Sequence, residues 1–333
     1  RITLSHGGGG RATSQLIDQL FFKHFNNPLL AQRNDQALFQ PPPGRLVMST
    51  DSHVVSPLFF PGGNIGSLAV HGTVNDLAMA GAKPLYLSAA FILEEGLLYN
   101  DLEKIVISMA EAAQQAGTPI ITGDTKVVER GKADGVFITT TGVGVVVDGV
   151  SISSERATPG CAILINGSIG DHGVAIMACR ENLRFAADIH SDTAALHELV
   201  AAMLQIAPGA IRCLRDPTRG GVATVLNELA SQSEVGMLLN EEALPIKPEV
   251  QAVCEILGLD PLYVANEGKL IAICEAEYAE TILACMRQHP LGREAAIIGY
   301  VRDEPKSMVE MTTLMGGLRM VDWPLGEQLP RIC

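Results

Sequence analysis

PLYLSAAFIL (residues 84–93), NDLEKIVISMAEAAQQAG (100–117) and PIITGDTKVV (119–128) follow one another almost without interruption, and their order decides the fold class. The first and third are apolar runs of strand length. The second repeats apolar residues at helical spacing, with Asn100 or Asp101 as its cap and Gly117 as its stop. Strand, helix, strand is the unit of an α/β layer. Towards the N-terminus, RLVMSTDSHVV (45–55) predicts a strand ending near Asp51. GNIGSLAVHGTVNDLAMAGA (63–82) predicts a helix with small residues on one face. Towards the C-terminus, GVFITTTGVGVVV (135–147) predicts a further strand. SSERATPG (153–160) is the candidate linker, and the alternation then resumes with CAILING, GDHGVAIM, RGGVATVLNELA, KLIAIC, AAIIGYV and SMVEMTT. The expectation is an α/β (α+β) chain of two domains. A glycine-rich arm and an amphipathic helix carrying Leu16, Leu20 and Phe21 occupy 1–40. An α/β domain covers 41–152, an α+β domain 153–322, and a mobile tail 323–333.

Composition narrows the function. The 333 residues carry 24 Lys and Arg against 37 Asp and Glu, a net charge of −13, which argues against nucleic acid as a partner. No apolar run is long enough to span a bilayer, and RITLSHGGGG has no signal-peptide core, so no membrane role and a cytoplasmic site are expected. Seven cysteines without a CxxC, several within apolar runs, fit reduced side chains rather than a disulfide framework or a zinc site. The last of them, Cys333, ends the chain. Ten extended residues reach about 33 Å, enough for a tail thiol to visit two sites. The adjacent terminal carboxylate should raise the Cys333 pKa, with Arg331 partly offsetting it.

Four segments put acidic or small residues at strand ends and helix starts. STDS carries Asp51, TVNDLAMAGA carries Asn75 and Asp76, ITGDTKVV carries Asp124 and Lys126, and RDPTRGG carries Asp216, Thr218 and Arg219. Separated carboxylates with a few cations suit a magnesium nucleotide, and a glycine arm (Gly7, Gly8, Gly9, Gly10) suits phosphate, although no P-loop or GxGxxG motif is present. Taken singly, Asp51 reads as a turn former, HGGGG as a loose end, and RDPTRGG as a capped helix start with Pro217 in its first turn. His6, His53, His71 and His172 show no ligand spacing and read as structural or surface groups.

Together, STDSHVVSPLFFPGGNIG, TVNDLAMAGA, FILEEG, ITGDTKVV, GDHG, RDPTRGG, NEGKL and the terminal PRIC resemble the HypE family of hydrogenase maturation proteins, from the glycine arm to the last residue. The wider superfamily includes aminoimidazole ribonucleotide synthetase and selenophosphate synthetase. The resemblance implies a PurM-like N-terminal domain, a homodimer, and an ATP- and Mg²⁺-dependent carbamoyl dehydratase. It would convert an S-carboxamide, loaded on Cys333 by HypF, to a thiocyanate that gives cyanide to iron on HypC–HypD. By the same resemblance Asp51, Asp76 and Asp124 are metal ligands, with Asn75, Asp216, Thr218 and Arg219 around the nucleotide. Gly7–Gly10 form the closing arm, with glycine where relatives often have serine. Lys126 and Glu267 are the pair acting on the carboxamide.

That chemistry is physically coherent. Phosphorylation makes the amide oxygen a good leaving group, and the nitrogen must then shed two protons to a base such as Glu267, if burial raises its pKa. Lys126 would stabilise charge on the phosphorylated oxygen. The competing expectations are another ATP enzyme of the superfamily, selenophosphate synthetase-like or kinase-like, and a non-catalytic nucleotide-sensing scaffold. A selenophosphate synthetase needs a reactive residue near its N-terminus, and here no cysteine precedes Cys161.

Overall fold

The computed structural model describes residues 1–181, 189–324, 326 and 331–333. Helix α1 (Arg11–Leu16) passes through a π-type turn, Ile17–Phe21, into α2 (Phe22–His24), burying Leu16, Leu20 and Phe21. The first sheet is built from β1 (Leu46–His53), β4 (Ala82–Glu94), β5 (Ile120–Val128) and β6 (Val136–Val146), in the order β1-β6-β4-β5. Only the β4–β5 pair is parallel, joined through helix α4 (Tyr99–Gln115). A short hairpin, β2 (Phe59–Phe60) and β3 (Gly63–Asn64), leads into helix α3 (Ile65–Met79).

Helix α3 is capped by Asn64, whose Oδ1 accepts from the Gly66 and Ser67 amides at 2.8 and 3.4 Å. Its small residues allow close contact on two sides. A Cβ on Gly66 would lie 2.2 Å from the Ile105 carbonyl of α4, and one on Gly72 would lie 2.9 Å from Asp51 Oδ2. Helix α4 buries Leu102, Ile105, Val106 and Met109, the stripe its sequence predicts, but its cap position is Leu98 without a side-chain bond, not Asn100 or Asp101.

The second sheet has seven strands in the order β13-β12-β9-β11-β7-β10-β8. They are β7 (Ala162–Ile165), β8 (Ile211–Arg215), β9 (Gly236–Asn240), β10 (Ile271–Cys274), β11 (Ala296–Arg302), β12 (Met308–Thr312) and β13 (Leu318–Met320). Helices α5 (Asp171–Arg180), α6 (His197–Ile206), α7 (Gly221–Gln232), α8 (Pro248–Leu257) and α9 (Ala276–Gln288) cover it. Strand β7 is buried on both faces. Ile163 and Ile165 meet α7, whereas Ala162 and Leu164 join α6, α9 and the end of α3. That second cluster spans both sheets through Ala78, Met79 and Val150, so the two layers share core. Pro217 lies four residues ahead of helix α7, in the preceding loop rather than its first turn.

The junction of α3 with the segment before α6 contains His71, whose Nδ1 lies 3.0 Å from Thr193 Oγ1. Burial, aided by nearby His197, lowers the His71 pKa from 6.5 to about 4. Unfolded His71 therefore gains its proton below pH 6.5 while the folded one resists until about 4, and the stability it lends above 6.5 is lost across that window. Relative to a His71→Gln variant, wild type should lose about 3 kcal/mol between pH 6.5 and 4 in chemical denaturation. Parallel curves for the two proteins would refute this.

Candidate functional site

The end of β1, the middle of α3, the loop between β8 and α7, the segment before β10 and the last residues of the chain meet at the junction of the two layers. Asp76 of α3 accepts from Ser49 Oγ at 2.5 Å. Burial raises its pKa and Asp51 adds to the effect, against the Ser49 bond. Asp51 lies 3.5 Å from His53 Nε2, and burial holds that histidine below its ordinary value despite the carboxylate. Asp216, in the β8–α7 loop, is pushed up to about 7 by burial and then by Asp76. Glu267 is 4% exposed, its Oε1 has no partner among the described residues, and its pKa rises well above 4.5. Burial is the main cause, followed by Asp192, Asp216, Asp51 and Asp76.

Side chains overlooked in the sequence fix Glu267. Its amide donates to Asp192 Oδ1 at 3.1 Å, and its carbonyl accepts from Asn75 Nδ2 at 3.2 Å. Asp192 is in turn paired with Lys269 Nζ at 2.9 Å. Burial alone would raise the Asp192 pKa, but Lys269, His172 and the Glu267 amide hold it below its ordinary value. Asn75 also donates to Ala194 O and accepts from Leu196 N, at 3.0 and 2.8 Å. Its amide is thus occupied by main chain rather than turned to a nucleotide.

The last three residues, expected on a free tail, are pinned. Val55 and Ile332 form an antiparallel bridge, with Val54 N donating to Cys333 O at 2.9 Å and Ser56 N to Arg331 O at 3.2 Å. Positions 325 and 327–330 of the expected tail lie outside the described residues. Fully buried His172 donates from Nε2 to Ile332 O at 2.7 Å, which leaves Nδ1 to accept from Ser191 Oγ at 2.8 Å. Burial lowers the His172 pKa, consistent with that neutral tautomer. Arg180 donates to Ser56 O and Arg331 O. The Cys333 thiol lines a cavity of about 520 Å³ with Arg219, Thr224, Ser52 and Tyr263. Its pKa is raised by burial first and by Glu267 second, with Arg219 opposing. The terminal carboxylate expected to raise it is not among the causes, and Arg331 is spent on Asp134, 3.3 Å away. At rest the thiol is a protonated, poor nucleophile.

Asp124 and Lys126 are not part of this assembly. They pair in register with Ala90 and Ile92, on the sheet face that α3 leaves uncovered, whereas Asp51 and His53 face α3. The arm goes with them. A Cβ on Gly7 would lie 2.5 Å from Val127 N of β5, and Gly8, Gly9 and Gly10 lead from there into α1. Thr218 serves the loop turn, its amide bonded to Asp216 O at 3.0 Å. Of the expected trio, Asp51 and Asp76 thus share the junction with Asp216, whereas Asp124 lies on the other face of the first sheet. Among the described residues no three His, Cys, Asp or Glu side chains converge as a finished metal shell. Asp51 nonetheless helps to raise the Asp76 pKa, and Asp76 and Asp51 help to raise that of Asp216, and such crowded hard oxygens fit a divalent cation that would relieve the repulsion. The GDHG motif marked His172, but nothing in its spacing tied it to the chain end.

Comparison with known proteins follows this geometry. Residues 33–146 match the family model of the AIR synthase related protein N-terminal domain, and 158–311 that of its C-terminal domain. Carbamoyl dehydratase HypE of Azotobacter vinelandii is 66% identical over 332 residues, covering 100% of this chain and 97% of that protein. A crystal structure of hydrogenase maturation protein HypE in complex with ATP superposes with a TM-score of 0.96 at 52% identity, covering 100% of both chains. A HypE–HypF complex gives a TM-score of 0.82 at 50% identity over 93% of this chain and 99% of that one.

Two outcomes are expected at this site. Magnesium affinity by calorimetry should fall about tenfold per pH unit below about 7, where Asp216 takes up its proton, and should lose that dependence in Asp216→Asn; a pH-independent wild type would remove Asp216 from the cation site. His172→Ala deletes one bond to the tail, worth about 1 kcal/mol, so alkylation of Cys333, followed on the C-terminal peptide, should quicken roughly fivefold to tenfold. An unchanged rate would mean that His172 does not hold the tail.

Proposed function

The chain belongs to the HypE family, and we propose that it is an ATP-dependent carbamoyl dehydratase acting on its own C-terminal cysteine. In this reading Cys333 carries an S-carboxamide, which is dehydrated to a thiocyanate, and the cyanide passes to iron during [NiFe]-hydrogenase maturation. The observation that carries the reading is the half-buried Cys333 whose thiol feels the charge of Glu267, a carboxyl with one oxygen unpartnered and a raised pKa. Such a group is suited to exchanging protons near neutrality.

The reaction balances without a redox partner. The carboxamide oxygen attacks the γ-phosphorus of ATP and ADP leaves. The nitrogen then gives up its two protons, the carbon–oxygen bond breaks, and phosphate departs with the former amide oxygen, leaving S–C≡N. A divalent cation at Asp51, Asp76 and Asp216, when bound, supplies charge neutralisation for the phosphates. Glu267 takes up a nitrogen proton through its free Oε1, and the Asp192 and Asn75 bonds to its main chain keep that oxygen aimed. Because the resting thiol is buried and protonated, loading calls for the tail to leave its dock and enter the active site of a carbamoyltransferase of the HypF type. Release of cyanide to a HypC–HypD complex follows the same route.

Lys126 and Asp124 enter this scheme through a second copy. The uncovered face of the first sheet exposes Met48 (70%) and Ile92 (41%) beside Thr50, Ser52 and Lys126. Apolar surface on a sheet face is normally covered. Pairing two such faces gives a homodimer in which Asp124, Lys126 and the glycine arm of one chain approach the site of the other.

The test uses full-length protein carbamoylated at Cys333. With ATP and magnesium, mass spectrometry of the C-terminal peptide should show loss of one water. Glu267→Gln should keep the carboxamide and slow its conversion by about 10²–10⁴-fold. A carboxamide that persists in wild-type protein under these conditions would sink the dehydratase assignment.

A further inference from the structure

The reaction proposed above builds a phosphate dianion on the carboxamide, and a cation must meet it. Lys126, the cation suggested by sequence, stands on the far side of the first sheet. Within the chain another group is better placed. Arg219 lines the same cavity as Cys333, and its charge acts on the thiol and on Asp76.

The other arginines nearby are engaged. Arg215 pairs with Glu228 at 2.6 Å, Arg331 with Asp134 at 3.3 Å, and Arg180 binds the carbonyls of Ser56 and Arg331. Arg219 makes no hydrogen bond or ion pair among the described residues, although its charge reaches Asp76. Its backbone is set rigidly. Gly220 and Gly221, with φ of 74° and 63°, follow it, and a Cβ on Gly221 would lie 2.6 Å from Leu262 O. Of the cavity hydroxyls, Ser52 is bonded to Thr139 at 3.0 Å and Tyr263 donates to Asp322 O at 2.9 Å. Thr224 is different. Its Oγ1 is buried in the first turn of α7 without a partner. Arg219 and Thr224 thus line one cavity with Cys333, the guanidinium unpaired and the buried hydroxyl without a partner among the described residues. Neither is explained by folding, since a buried hydroxyl without a bond is a cost that natural structures seldom carry idly.

We propose that Arg219 and Thr224 are catalytic residues that bind the phosphorylated carboxamide on Cys333, Arg219 by a two-pronged contact with the phosphate oxygens and Thr224 by donating its hydroxyl. This rests on the dehydratase reading and completes it. The guanidinium holds the leaving phosphate while Glu267 takes the nitrogen proton, so the carbon–oxygen bond breaks with its electrons passing to a neutralised oxygen.

The experiment is single-turnover dehydration of full-length protein carbamoylated at Cys333, read as water loss from the C-terminal peptide. Arg219→Ala should slow conversion by about 10²–10³-fold with ATP affinity unchanged, Arg219→Lys should recover part of it, and millimolar guanidinium should partly rescue the alanine variant. Thr224→Val, which removes an unpartnered hydroxyl at constant shape, should leave the melting temperature unchanged and slow conversion about tenfold. Conversion by Arg219→Ala at the wild-type rate, or a loss that tracks melting temperature and resists guanidinium while Thr224→Val is fully active, overturns the assignment. Wild-type protein that fails to lose water overturns instead the reading beneath it.

Discussion

The peptide unit of Glu267 is clamped at both ends, and the reactive region depends on that clamp. Asp192 takes its N–H and Asn75 supplies a donor to its C=O. Asn75 rides on α3 of the first layer, whereas Glu267 leads into β10, next to the edge strand β8 of the second, so one amide side chain ties the two layers. Asp192 is tolerable in so buried a place because Lys269, two residues beyond Glu267, pairs with it. The clamp therefore has its counterion within the same short segment, NEGKL, that it holds. Replacing either clamp residue leaves a buried polar main-chain group unmet, a larger penalty than the bond itself is worth.

Once Glu267 is held there, its environment follows. Its carboxyl is forced into company with Asp51, Asp76 and Asp216, and four acids in a poorly solvated junction cannot all ionise. In the proposed reaction a divalent cation would relieve their repulsion, and an acidic chain could then accept a polyphosphate. The small residues of α3 belong to the same design. Gly72 lets Asp51 lie under the helix, and Gly66 lets α4 approach from the other side.

Much of this was legible in the sequence. The strand–helix–strand run fixed the first layer, since β4, α4 and β5 each carry one unambiguous period. Asp51, Asp76, Asp216, Arg219, Glu267 and Cys333 were all singled out, and they do gather. What periodicity could not show was which face a residue takes once strands are ordered. Asp124 lies in the middle of β5 and Asp51 near the end of β1, and only the strand pairing reveals that the two point to opposite sides. Asp192 was missed, and the bonds of His172 and Asn75 were not legible, because these side chains bind main-chain atoms far along the chain, which leave no mark in sequence. The cause of the Cys333 shift was misjudged for the same reason, since burial is a tertiary property.

The tail dock shows why main-chain recognition suits this protein. Apart from the Arg331–Asp134 ion pair, the bonds that hold residues 331–333 among the described residues are to backbone atoms: Val54 N to Cys333 O, Ser56 N and Arg180 to Arg331 O, and His172 to Ile332 O. Arg331 adopts φ of 54° to turn those carbonyls towards their donors, a strained shape for a non-glycine residue. The thiol takes no part in the grip. In the proposed reaction Cys333 would pass from free thiol to carboxamide to thiocyanate, groups that differ in size and polarity yet leave the same main chain for the dock. A grip on the sulfur would have discriminated among them and held one state too tightly. A grip on the backbone leaves the choice to the cavity around Cys333, where Glu267 and Arg219 meet the group that changes.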